Sequence, residues 1–360
     1  MKKFLLSILF PVFSMSINAQ NLDNLNLNTS LAPIEDLHLT KEWDKVFPKS
    51  ENVLHKKVTF VNRYGITLAA DMYIPKNATG EMPAIAVSGP FGAVKEQSSG
   101  LYAQQLAERG FLTIAFDPSF TGESGGEPRR VASPDINTED FSAAVDFLSV
   151  QDNVDSEKIG VLGVCGWGGI AIQAAINDPR IKATVASTMY DMTRVHANGY
   201  NDSEDSAEIR NAKRKAFSKL RTENYRSGKY GRDGGVIDPL PEDVPLFVKE
   251  YHDYYKTQRG YHPRSGNSTD GWNTTGLASF INFKFFEYAD ELESAVMIVH
   301  GENAHSLYFG EDTFKKLKGD NKEMLIIADA NHTDLYDNIE KIPFDQIATF
   351  FKRWMNINNQ

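Results

Sequence analysis

One cysteine, Cys165, stands alone in 360 residues. A single thiol has no partner for an intrachain disulfide, so no structural bridge is expected. Metal-ligand spacing is missing too: the eight histidines are scattered, and neither His-x-x-x-His nor Cys-x-x-Cys occurs. No cofactor or metal is implied. Long Lys/Arg clusters are absent and the net charge is −10, which denies nucleic acid or an anionic membrane the basic footprint that either needs. A neutral or weakly charged small molecule is the better-matched partner, and the sequence is silent on oligomeric state.

The chain does carry the make-up of a globular protein, with 41% hydrophobic and 24% charged residues. Its start, "MKKFLLSILFPVFSMSINAQ", sets Lys2 and Lys3 before a short apolar stretch and small polar residues up to Ala19. That is the layout of a secretory signal peptide over residues 1–19, cleaved after Ala19. The apolar run is too short for a spanning helix and is broken by Pro11. A secreted or periplasmic protein is expected. Residues 20–52 are polar and Asn-rich, without sustained periodicity, and read as an arm into a domain over 53–357.

That domain opens with "KKVTFVNRYGITLAADMYIP", two β-branched and aromatic runs about Gly65 that predict an antiparallel hairpin. From Pro83 one unit repeats: an apolar run, a Gly-rich or polar loop, an amphipathic helix. The runs are "PAIAVS", "FLTIAF", "KIGVLGV", "IKATVAS", "SAVMIVH" and "EMLIIAD". Strands apolar along their whole length, alternating with helices, predict an α/β fold with a mainly parallel sheet covered on both faces. About 191–290 interrupts the rhythm with far more chain than a connection needs. It begins with a charged helical stretch and continues rich in Tyr and His, and it predicts an inserted helical lid walling a pocket.

Ligands of such sheets bind beyond the carboxyl ends of the strands, so the residues that follow each strand matter most. "VLGVCGWGGI" places Cys165 between a strand and a helix, among glycines that permit a sharp, strained turn. A thiol lifted there faces a helix N-terminus, and that placement predicts a lowered thiol pKa and a nucleophile. The alternative is a small buried hydrophobe. His332, in "ANHTDLY" after the last strand, is the candidate base. An oxyanion needs two backbone donors. Gly166 follows the nucleophile, and in Gly89-Pro90-Phe91-Gly92 the N–H falls to Phe91, because proline has none. For the acid that orients His332 the candidates are Glu302, after the next-to-last strand, and Asp191, after the preceding one. Asp329 and Asp334 read as loop carboxylates, and Asp117 as a turn acceptor.

These residues resemble the α/β-hydrolase superfamily, and within it the dienelactone hydrolase family, with its Gly-x-Cys-x-Gly elbow. The likeness spans about 55–357 and is carried by "GVCGWGG", "GPFGAVKEQ", "FDPSFTGESGG" and "ANHTDLY". It implies a Cys-His-Asp triad. Here Ala304 stands where the acid is expected, and Trp167 replaces a small residue after the elbow, which predicts a bulky wall over the substrate pocket. The long insert is foreign to the small dienelactone hydrolases, so their substrate does not carry over. The implied activity is hydrolysis of an ester, thioester or lactone through an acyl-cysteine. The alternatives are a peptidase or amidase on the same elbow, and a catalytically silent binding protein.

Overall fold

The computed structural model describes residues 32–357 of the chain. Residues 1–19, expected to be a signal peptide, lie outside them.

Strand β1 (Val53–Val61) pairs antiparallel with β2 (Thr67–Pro75) across the turn that holds Gly65. There follow β3 (Met82–Ser88), α1 (Ser98–Ala107), β4 (Leu112–Phe116), α2 (Pro134–Ser149), β5 (Val154–Val164), α3 (Gly166–Asn177) and β6 (Ile181–Ser187). The insert supplies α4 (Met192–Asn198), α5 (Ala207–Ser227), a two-residue strand β7 (Arg232–Asp233), α6 (Leu246–Lys256), α7 (Gly266–Asp270) and its partner strand β8 (Trp272–Asn273). The chain then closes with β9 (Ala295–Gly301), α8 (Leu307–Lys316), β10 (Lys322–Ile327), α9 (Asp334–Asp337) and α10 (Phe344–Trp354).

Eight strands form one sheet in the order β1-β2-β4-β3-β5-β6-β9-β10, parallel from β4 onward. β3, β4 and β6 are almost wholly buried because helices cover both faces. One face carries α2 and α3, through Phe141, Leu148 and Ile170. The other carries α1 and α10, through Leu101, Tyr102, Phe344, Ile347 and Phe351. In α10 those apolar positions recur at helical spacing on one face, and the Phe351 ring lies where any Cβ on Gly160 of β5 would stand, 2.6 Å away. Truncating such a ring costs about 3–5 kcal/mol.

The sequence expectations for the hairpin and the six apolar runs are met within a few residues. One helix falls where the sequence reading had only a loop: α9, a single turn after His332. The described part of the arm holds no helix or strand, yet it is bonded to the domain. The Glu35 N–H donates to Oγ1 of Thr67 at 2.8 Å and Val46 N–H to the Glu96 carbonyl at 3.0 Å, while Lys45 Nζ lies 3.0 Å from Asp71.

Candidate active site

All the parallel strands end on one edge, and the turn after the central β5 holds Cys165 at φ 58°, ψ −127°. Outside glycine this conformation is rare and needs support from its surroundings. Its N–H donates to the Ser187 carbonyl at 2.9 Å, and its carbonyl accepts from Gly168 N–H at 2.9 Å and Tyr190 N–H at 3.1 Å. Gly163 is required because a Cβ there would run into the Trp167 carbonyl. The thiol meets the backbone N–H groups of Phe91 and Gly166 and the Tyr336 hydroxyl. Two N–H donors facing one thiol are the arrangement an oxyanion hole would need.

His332 is fully buried, its Nε2 3.0 Å from the Tyr336 hydroxyl. Its Nδ1 lies 2.6 Å from Oγ of Ser306 and 2.9 Å from Oγ1 of Thr188. Among the described residues, no carboxylate hydrogen-bonds His332. The structure therefore does not bring either proposed acid to His332. Glu302 is exposed and accepts from Asp329 N–H at 3.2 Å. The chain turns after it, with Ala304 N–H on the Gly301 carbonyl at 3.1 Å, and delivers Ser306 to the imidazole instead. Asp191 caps α4, accepting from Arg194 N–H at 2.9 Å and from Oγ1 of Thr193 at 2.6 Å. It faces a separate recess of about 610 Å³ whose lining does not include Cys165. Asp334, read as a loop carboxylate, instead opens α9 and lies 2.7 Å from Lys341 Nζ.

Burial sets the proton inventory. It pushes the Cys165 thiol up, and the hydrogen bonds from Tyr336, Phe91 and Gly166 only partly offset it. Where the helix N-terminus was expected to lower the thiol pKa, burial raises it, because the thiolate loses its hydration with the sulfur out of water. Burial, with His305 and His300 nearby, holds His332 well below the usual imidazole range. The resting pair is a neutral thiol and a neutral imidazole.

Around them stand groups that sequence reasoning missed. Tyr251 of α6 packs its ring 5.5 Å from that of His332, and Tyr190 lies at 5.4 Å. His305 sits 4.9 Å from His332 between the Tyr190 hydroxyl and the Phe247 ring, which stacks on it at 4.4 Å. The signal for Tyr336 was its place four residues after His332, the spacing that brings two side chains to one side of a helical turn.

A cavity of about 300 Å³ opens on Cys165. Ten of its fourteen lining residues, among them Met192, His196, Tyr251, Tyr255 and Trp272, come from 191–290, and no lining side chain is a carboxylate, Lys or Arg. Trp167, predicted to wall this cavity, is absent from its lining and only 1% exposed. The first turn of α3 sends its indole under the Gly89–Gly92 loop, where Gly89 leaves room: a Cβ there would stand 2.6 Å from Cδ1 of Trp167. Phe91 covers that indole and packs on Trp272, ring centres 4.2 Å apart.

The Gly89–Gly92 loop is anchored from its far end. Lys95 is fully buried with its ammonium 2.7 Å from Asp117, 2.7 Å from Glu123 and 2.8 Å from Glu96. Arg264 of the insert adds 2.8 Å to Glu96 and 2.6 Å to Asp44 of the arm. Asp117 also accepts from the N–H groups of Lys95 and Glu123, at 2.7 and 2.9 Å, the turn role expected of it. Ser265 Oγ and Ser268 N–H reach the Gly92 carbonyl at 2.9 and 3.2 Å. Arm, insert and loop are tied at one place.

A mainly parallel sheet with helices on both faces, a sharp strand-to-helix elbow holding Cys165 after β5 and a histidine after the last strand are the layout of an α/β hydrolase. A solved relative, the α/β hydrolase GrgF of a Penicillium species, has the same fold, with a TM-score of 0.68 over 84% of this chain and all of that one at 19% identity. The chain belongs to the X-Pro dipeptidyl-peptidase (S15) family, whose profile matches residues 64–334. It is 55% identical over 317 residues to the protein PA2218 of Pseudomonas aeruginosa, 88% of this chain and 85% of that one. The crystal structure of PA2218 covers 89% of this chain and 99% of its own with a TM-score of 0.86. The protein YcjY of Escherichia coli is 36% identical over 293 residues, 79% of this chain and 94% of that one.

Proposed function

We propose that the protein is an exported, cysteine-dependent acyl hydrolase of dienelactone hydrolase-like chemistry, cleaving an ester, thioester or lactone whose acyl part is compact and uncharged. The observation that carries this is the Cys165 thiol, presented on a strained elbow and facing the N–H groups of Phe91 and Gly166. His332 takes the thiol proton, sulfur adds to the carbonyl carbon, and the two N–H groups hold the oxyanion. His332 then protonates the leaving alcohol or thiol and activates the water that releases the acid. Ser306 and Thr188 hold the imidazole in place of a carboxylate.

The cavity supports the substrate class. At about 300 Å³ it is at the small end of ligand clefts, and its walls offer no charged side chain to pair with a charged substrate. That disfavours a dipeptidyl-peptidase, whose substrate's ammonium would enter without a counter-ion. The missing carboxylate beside His332 favours, as a second reading, a silent binding protein.

A panel of short p-nitrophenyl esters and thioesters, run with wild type, Cys165→Ala and His332→Ala, separates these. Turnover in wild type, lost in both variants, supports the acyl-cysteine; full activity in either variant rejects it; no turnover at all, with substrate bound, supports the silent reading. Export is tested by N-terminal sequencing of the protein from its native compartment, which should begin at Gln20.

A further inference from the structure

The imidazole that must deprotonate Cys165 does not have the thiol as the partner of its free nitrogen. Nε2 of His332 meets the Tyr336 hydroxyl at 3.0 Å, and Tyr336 shares with Cys165 the lining of one cavity, its hydroxyl on the thiol's side. Nδ1 is committed on its other side to Ser306 and Thr188. We propose that Tyr336 is a catalytic residue that carries the Cys165 proton to His332.

This rests on the acyl-cysteine reading and deepens it. In the forward step the S–H bond breaks and its proton goes to the Tyr336 oxygen, while the Tyr336 O–H proton moves to Nε2. The sulfur electron pair forms the bond to the carbonyl carbon, and the C=O π pair goes to the oxygen held by Phe91 and Gly166. On collapse the C–O or C–S bond to the leaving group breaks, and the Nε2 proton returns through Tyr336 to that group. Tyr336 is neutral before and after each step, and no further reagent is consumed.

The surroundings suit a relay. Tyr336 is fully buried, its ring held edge-on by Tyr254 at 5.0 Å and by His332 at 5.3 Å. Its hydroxyl is thus fixed between donor and acceptor, and it lines the cavity on which Cys165 opens. Burial keeps the phenol protonated, so it always has a proton to pass.

The test is Tyr336→Phe, which keeps the ring and removes the oxygen. Steady-state kinetics should show kcat/KM down by about 100-fold or more, the range for loss of a proton-transfer group. In mixtures of light and heavy water the wild-type rate should fall along a bowed curve, the sign of two protons moving together, and the variant's along a straight line. A merely structural hydroxyl would lower stability without changing that curve. Replacement of Tyr336 by a fluorinated tyrosine is the second arm: the rate should track phenol acidity. Tyr336→Phe within threefold of wild type with the same isotope curve, or a rate indifferent to fluorination, overturns the relay. Cys165→Ala reports separately on the parent reading: if it stays active the acyl-cysteine fails, and if it is dead while Tyr336→Phe is normal only the relay fails.

Discussion

Oγ of Ser306 lies 2.6 Å from Nδ1 of His332, in the place where a triad carboxylate is expected. A hydroxyl can fix the tautomer and direction of the ring, but it does not neutralise an imidazolium. Ser306→Ala should therefore lower kcat by about tenfold, the equivalent of the ~1.4 kcal/mol carried by one neutral hydrogen bond, with KM little changed. Steady-state kinetics check it, and Thr188→Val should deepen the loss in the double variant.

Glu302 and Asp191 should both be dispensable for catalysis. Glu302→Gln should leave kcat within about twofold, because the carboxylate is exposed and holds only Asp329 N–H. Asp191→Ala should lower the melting temperature through loss of the α4 cap, about 0.5–2 kcal/mol, while leaving catalysis near wild type. A fall of orders of magnitude in kcat for either would restore a carboxylate to the mechanism.

The cavity's size sets the acyl group. Leu277→Trp should fill part of the ~300 Å³ beside Cys165. Activity should survive on acetyl esters and fall at least tenfold on longer or aromatic acyl esters, read as kcat/KM along a homologous series.

Acid should weaken the fold before it protonates the base. Burial lowers His196 and His305 to about 4 and His300 to about 3, from 6.5. Above pH 6.5 these rings are neutral in folded and unfolded chains alike. Below it the unfolded chain binds protons that the folded one refuses, so stability falls by about 1.4 kcal/mol per pH unit for each ring until its folded value is reached. Chemical denaturation at pH 7, 6 and 5 measures this slope. His300→Leu, which removes two ring nitrogens without well-formed partners, should flatten it.

Cys165 should behave as a shielded thiol in the free enzyme. Because burial raises it, alkylation by iodoacetamide should keep rising with pH beyond the ordinary thiol range near roughly 8.5, with no plateau at neutral pH. A neutral-pH plateau would mean a preformed thiolate.

Much of this site was legible along the chain because it depends on local pattern. Apolar runs gave the strands, the glycines around Cys165 gave the turn, and Pro90, lacking an N–H, pointed to Phe91. The position of His332 followed from the last strand. What was not legible depends on how separate segments meet. Ser306, Thr188 and Tyr251 reach His332 from three different loops or helices, and no spacing announces that. Trp167 was misplaced because a residue following an elbow can turn toward ligand or under it, and the choice is made by Gly89, 78 positions earlier. The raised thiol pKa depends on burial by the insert, which the elbow motif does not contain.

The measurement that bears most directly on the central claim is mass spectrometry of the enzyme quenched in acid during turnover of a slow ester or thioester. An acyl adduct on the peptide carrying Cys165, absent in Cys165→Ala and accumulating in His332→Ala far more slowly than in wild type, is the predicted result. Turnover with no adduct, or with the acyl group on another side chain, would contradict it.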